Sequence, residues 1–154
     1  MEDYQGVQGG GVAELAYVAD SSVFASIIIK DEFHGRASRF LRRYSGMLAT
    51  LDLAFAEVAN ALWRHVYLLK RIPEDSYPTL RDSIRPLIAN AVSRICKAGE
   101  ILEEALDNAV KLGITVYDSL YVTLALSEKC RLTSFDERLK KRLREEGLDI
   151  VVTP

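Results

Sequence analysis

Residues 15–28 read "LAYVADSSVFASII", and this stretch decides the fold class. A short apolar run stops on Asp20, and a second apolar run starts at once behind two serines. The first run is too short for a helix and reads as a buried strand, while "SSVFASII" opens a helix directly behind it. A strand that passes into a helix through one polar residue is the unit of an α/β protein.

The same alternation continues along the chain. "GRASRFLRRY" (35–44) has apolar residues at helical spacing with arginines on its other face. "GMLATLDL" (46–53) reads as a second strand passing into the helix "AFAEVANALWRHVYLLKR" (54–71). Pro73 and Pro78 bracket a turn and the start of a further helix, which Pro86 is expected to kink or interrupt. "AVSRICKAG" (91–99) fits either a helix tail or a strand. "EILEEALDNAVKLG" (100–113) is an amphipathic helix ending on Gly113 at its C′ position. "ITVYDSLYVTLALSEK" (114–129) is mostly helix, followed by the strand "CRLTSF" (130–135), the charged helix "DERLKKRLREEG" (136–147) and a last strand, "LDIVV" (148–152). Together these predict an α/β sandwich around a mainly parallel sheet of about five short strands.

A chain of 154 residues suits one domain, large enough to bury roughly two-thirds of its unfolded surface. With 49% hydrophobic and 27% charged residues the composition is that of an ordinary globular protein, not a disordered one. A net charge of −2 excludes a strongly cationic nucleic-acid glue while leaving room for a local basic patch. Residues 1–14, acidic and Gly-rich, have neither the basic start nor the apolar stretch of a signal peptide and read as a flexible leader. No apolar run reaches the roughly 18 residues of a membrane span, so a cytoplasmic protein without membrane contact is expected. Cys96 and Cys130 are too few for a zinc cage; they read as reduced or buried thiols, with a disulfide left open.

Four carboxylates invite a closer reading. Asp20 and Asp136 each follow a strand and open a helix, where capping is the plain explanation, although Ser21, Ser22 and Ser134 could cap equally well. Asp118 also suits a helix start. Glu57 differs, because it stands inside "LDLAFAEVANALW" (51–63), a run with few other polar residues. It shares a narrow stripe with Asn60 and Arg64, at helical spacings of three and seven residues, and such a stripe lines a cleft as readily as it faces solvent. Capping explains three acids singly but relates none of them; a common site explains all four. Two carboxylates about 4 Å apart repel by roughly 4 kcal/mol at an effective dielectric near 20. A shared site therefore needs raised pKa values or cations, and oxygen-only ligation suits Mg²⁺ or Mn²⁺. Such ions serve phosphodiester hydrolysis.

On "YVADSSVFASI", "LDLAFAEVANALW", "GITVYDSLYVTLAL" and "LTSFDERL", in that order from Leu15 to Val152, the sequence resembles the PIN domain family, in its VapC-like toxin ribonuclease branch. The resemblance implies a three-layer α/β/α fold over residues 15–154 and an acidic pocket for Mg²⁺ or Mn²⁺. It makes Asp20, Glu57, Asp118 and Asp136 the catalytic and metal-holding acids, with Ser22 and Ser134 in support. It also implies metal-dependent endoribonuclease activity, a small antitoxin partner and a homodimer. The same acids would serve RNA processing or DNA flap cleavage, and a non-catalytic binding module is the alternative of another class. The leader departs from the family pattern, and residues 72–99 match only in length and helical character. His34 and His65 lie in no matching motif and are not expected to be catalytic. Arg36, Arg39 and Arg43, on one helical face without an acid among them, are the expected contact to RNA phosphate or to an acidic partner segment.

Overall fold

The computed structural model describes residues 14–154, so the leader expected over residues 1–14 lies, Glu14 apart, outside the described residues. Five strands form one sheet: β1 (Tyr17–Ala19), β2 (Leu48–Leu51), β3 (Arg94–Cys96), β4 (Arg131–Thr133) and β5 (Val151–Val152). Their order is β3-β2-β1-β4-β5, and every neighbouring pair runs parallel. Parallel neighbours need crossover connections, which the helices supply. These are α1 (Ser21–Ile29), α2 (His34–Arg43), α3 (Leu53–Trp63), α4 (Tyr77–Ala91), α5 (Leu102–Leu112), α6 (Val116–Ser127) and α7 (Glu137–Glu145).

Period-two alternation in the strands divides the interior into two cores. Val18 packs with Leu120, Val122, Leu132 and Leu143 on the α5–α6–α7 side, whereas Ala19 packs with Phe24, Val58 and Ile88 on the α1–α4 side. Helices on both faces of a parallel sheet give the three-layer α/β/α arrangement. β1 lies at its centre with neighbours on both edges, and the fully buried Thr50 donates its hydroxyl to the carbonyl of Ala19 at 2.7 Å. From β1 the chain builds outward through β2 and β3, then crosses to the other side of β1 for β4 and β5. The carboxyl ends of β1 and β4 therefore flank the point where strand order reverses, the usual place for a site in such sheets.

Three local expectations need correction. The helix expected over 54–71 ends at Trp63; the chain then widens into a π-helical turn, Arg64–Leu68, in which Leu69 N–H bonds to the carbonyl of Arg64 at 2.8 Å. Pro86 neither stops nor divides α4, which runs through it to Ala91. "AVSRICKAG" is helix tail and strand in succession, because β3 begins at Arg94. Gly113 does hold the C-terminal position of α5 at φ +68°, its N–H bonded to the carbonyl of Ala109. Cys96 and Cys130 are both free. Among the described residues no single helix is long and apolar enough to cross a membrane.

Candidate active site

Asp20 follows β1 directly, and its Oδ1 accepts the Ser22 N–H at 3.0 Å and the Ser22 hydroxyl at 2.5 Å. It is thus the N-cap of α1. The same Ser22 oxygen accepts the N–H of Phe135 at 2.9 Å, and Asp20 N–H donates to the carbonyl of Thr133 at 3.2 Å. These bonds tie the end of β1 to the end of β4. On the β4 side, Asp136 Oδ1 accepts from the N–H groups of Arg138 and Leu139, each at 3.0 Å, and caps α7; Asp136 N–H in turn donates to Ser134 Oγ at 3.0 Å. Capping and membership of a shared site are therefore compatible roles. Each cap uses Oδ1 alone and leaves the second carboxylate oxygen outside it.

Asp118 is not a cap. Thr115 takes that position in α6, its side-chain oxygen accepting the Asp118 N–H at 3.2 Å. This leaves the Asp118 carboxylate in the first turn, where the helix dipole favours negative charge. Glu57, midway along α3, accepts the hydroxyl of Tyr121 on Oε1 at 2.7 Å. Its stripe faces a cleft of about 610 Å³, lined by Ser21, Glu57, Asn60, Arg64 and Tyr117 among others.

The acids feel one another. Asp20 is only 7% exposed, and loss of water pushes its carboxyl up to about 7; the charge of Asp118 adds to this, while hydrogen bonds from Ser134 and Ser22 oppose it. Burial also raises Asp118, helped by the charges of Asp136 and then Glu57, against the Thr115 hydrogen bond. Burial, followed by the charge of Glu57, drives the Tyr121 phenol far above its ordinary range, so it stays a protonated donor. Among the described residues, no ion pair engages any of the four acids.

Four carboxyl groups from four separate elements, coupled in charge and without a cationic partner, make a hard oxygen donor set. Among the described residues no three acid, histidine or cysteine side chains converge closely enough to grip an ion together. This donor set does not suit a closed cage; the chemistry of its oxygens suits a hard ion that binds through one or two carboxylates and keeps several waters.

The sequence model of the PIN domain family matches residues 17–144. The chain belongs to the PIN domain family. It is 32% identical over 130 residues to Ribonuclease VapC3 of Pyrobaculum aerophilum, covering 83% of this chain and 95% of that protein. The fold is similar to the crystal structure of PAE2754 from Pyrobaculum aerophilum, with a TM-score of 0.68, 20% identity and 90% of each chain covered. It is similar also to VapC20 of Mycobacterium tuberculosis, described as a toxin that cleaves the sarcin–ricin loop, with a TM-score of 0.62, 17% identity, and 82% of this chain and 94% of that one covered.

The three arginines of this PIN domain sit elsewhere. Arg36, Arg39 and Arg43 line a separate groove of about 470 Å³ with Tyr17, Phe40 and Pro154, to which none of the four acids contributes. Arg36 is already engaged: its Nε donates to the Pro154 carbonyl at 2.9 Å, and its guanidinium lies 5.5 Å from the ring centroids of Phe33 and Phe135. Arg43 stands over Tyr44, which packs on Tyr17 at the start of β1, whereas Asp20 follows that strand's end.

Sequence reasoning missed Tyr121 and Thr115. Tyr121 lies one helical turn after Asp118, a hydroxyl on the same side of a mostly buried helix, and that spacing was a usable signal. Thr115 stands three residues before Asp118, the offset at which a cap oxygen meets an N3 amide.

Proposed function

We propose that this PIN domain is a divalent-metal-dependent endoribonuclease and the toxin of a toxin–antitoxin pair, acting in the cytoplasm as a homodimer. The observation that carries the catalytic reading is the charge coupling of Asp20, Glu57, Asp118 and Asp136 with no ion-pair partner among the described residues. Strongly perturbed carboxyl groups beside a cleft are a mark of a chemical site. The identity to Ribonuclease VapC3 favours RNA as the substrate, and the description of VapC20 as a toxin favours the biological role.

Asp20, Asp118 and Glu57 would hold Mg²⁺ or Mn²⁺, directly or through water, with Asp136 completing the acidic ring. When bound, the ion supplies a lowered pKa for water and a counter-charge for the phosphate oxygens. The chain's own residues set the geometry. Ser22 fixes Asp20 and ties it to the β4 loop, Ser134 holds the backbone of Asp136, and neutral Tyr121 fixes the rotamer of Glu57. Asp20, its carboxyl pushed up to about 7 by burial, would have to lose its proton to hold the ion.

The test is cleavage of a mixed RNA pool with Mg²⁺ or Mn²⁺, run against Asp118→Asn. Metal-dependent cutting that disappears in the variant is the expected result. Equal activity in both proteins, or no Mn²⁺ binding by the wild type, overturns the reading.

A further inference from the structure

We propose that the cleft between α3 and the first turn of α6 is a subsite for single-stranded RNA, with Tyr117 stacking on a base and Arg64 and Arg71 holding backbone phosphates. The proposal rests on the ribonuclease reading for its substrate, and on the geometry below for its place.

Tyr117 immediately precedes Asp118 and is 59% exposed, so a large aromatic ring stands open to solvent beside the acids. It lines the same cleft of about 610 Å³ as Glu57, Arg64 and Arg71. A strand whose scissile phosphate reaches the acids from this cleft brings an adjacent base within reach of Tyr117. Base–aromatic stacking tolerates any sequence, because every base has a π-face.

The stripe of α3 places Arg64 in this cleft and the π-helical turn brings Arg71 to it; such turns recur at functional sites. After it, Lys70 takes a left-handed conformation at φ +53°, and Arg71 N–H reaches back to the carbonyl of His65 at 2.9 Å. The chain thereby doubles back, so that Arg71 joins Arg64 instead of continuing along the helix. Among the described residues neither arginine is held in an ion pair. A second cleft of about 510 Å³ shares His65 and Arg71 with the first, but Asp31 and Glu32 line it beside Lys30, so the cationic path ends at Arg71. Two arginines in the cleft that Glu57 lines suit a polyanion positioned for cleavage. The groove of Arg36, Arg39 and Arg43 has the charge but no acid in its lining.

A fluorescein-labelled single-stranded oligoribonucleotide, titrated by anisotropy in EDTA over a salt series, tests the subsite without cleavage, and cleavage of the RNA pool in Mn²⁺ is followed in parallel. Tyr117→Ala should weaken binding about tenfold and raise KM with little change in kcat, and Tyr117→Trp should restore both. Arg64→Ala combined with Arg71→Ala should flatten the slope of log K against log salt by about 1.4, while Arg39→Ala with Arg43→Ala leaves it unchanged. Wild-type affinity and slope in the first two variants overturn the subsite, as does flattening only in the Arg39/Arg43 pair. Loss of binding to a protein partner with RNA binding intact also overturns it. Failure of wild-type cleavage, with oligonucleotide binding still lost in Tyr117→Ala, removes the nuclease reading and leaves the subsite standing.

Discussion

Tyr121 donates its hydroxyl to Glu57 across 2.7 Å, joining residues 64 apart in the chain, and so the two helices flanking the acidic centre are held in register by one hydrogen bond. Tyr121 is 2% exposed, so the donor end of the bond is shielded from water while Glu57 is only half-buried.

Tyr121→Phe keeps the ring and removes the donor. Folding stability should fall by about 1 kcal/mol, since Glu57 retains access to solvent through the cleft. Mn²⁺ affinity and cleavage should fall more sharply, on the order of tenfold, as for other residues that orient a metal-holding carboxylate. Calorimetric titration with Mn²⁺ beside a urea melt separates the two effects, and a variant with full affinity refutes the orienting role.

Asp20 makes the metal-free protein sensitive to pH. Its folded pKa of about 7 lies above the ordinary 3.8, so the folded state binds the proton more tightly than the unfolded chain does. The Asp20 contribution to stability is therefore complete below about pH 4 and is lost as pH rises towards 7, a change on the order of 4 kcal/mol. Asp20→Asn should abolish that part of the pH dependence and become more stable than the wild type at pH 8 without metal. Unfolding free energies of both proteins at pH 5 and pH 8 decide the matter; parallel profiles refute it.

Metal binding should release a proton for the same reason. At pH 6 the wild type should show a heat of Mn²⁺ binding that changes with the ionisation enthalpy of the buffer, and Asp20→Asn should show much less. Ser22→Ala removes the hydroxyl hydrogen bond that lowers the Asp20 pKa and keeps the backbone one, so its Mn²⁺ affinity should rise with pH along a curve displaced to higher pH. An undisplaced curve would mean that Ser22 only ties the two loops together.

Gly113→Ala should destabilise the fold by about 1–2 kcal/mol, because φ is +68° there and an added Cβ would stand 2.8 Å from Arg142 Nη2. Arg142 donates to the carbonyl of Leu112 at 3.0 Å, a bond that the new methyl would disturb. A lower urea midpoint with an unchanged slope is the expected result.

The strand–Asp–helix units and all four acids were legible in the sequence, because each depends on local pattern: a short apolar run, a polar stop, a carboxylate where apolar residues prevail. Gly113 was legible for the same reason. The division of labour between Thr115 and Asp118 was harder, since both suit a helix start and only the position of the first turn separates them. The Tyr121–Glu57 bond and the clasp of Arg36 on Pro154 are contacts between distant segments, and periodicity carries no information about those. The π-helical turn escaped because residues 64–68 continue an apolar helical pattern; one extra residue in the turn changes the backbone's direction without altering composition.

The bond from Phe135 N–H to Ser22 Oγ spans 113 residues and joins the first turn of α1, directly behind β1, to the loop after β4. A ribosome making this protein therefore exposes β1 and β2 long before the strand that completes the acidic centre. Until β4 emerges and docks, the acidic centre lacks Asp136, whose charge acts on Asp118. Closing so long a loop is also slow compared with forming the helices on either side. The acidic centre is therefore among the last parts of the fold to be assembled, because its β4 side is made only near the end of the chain.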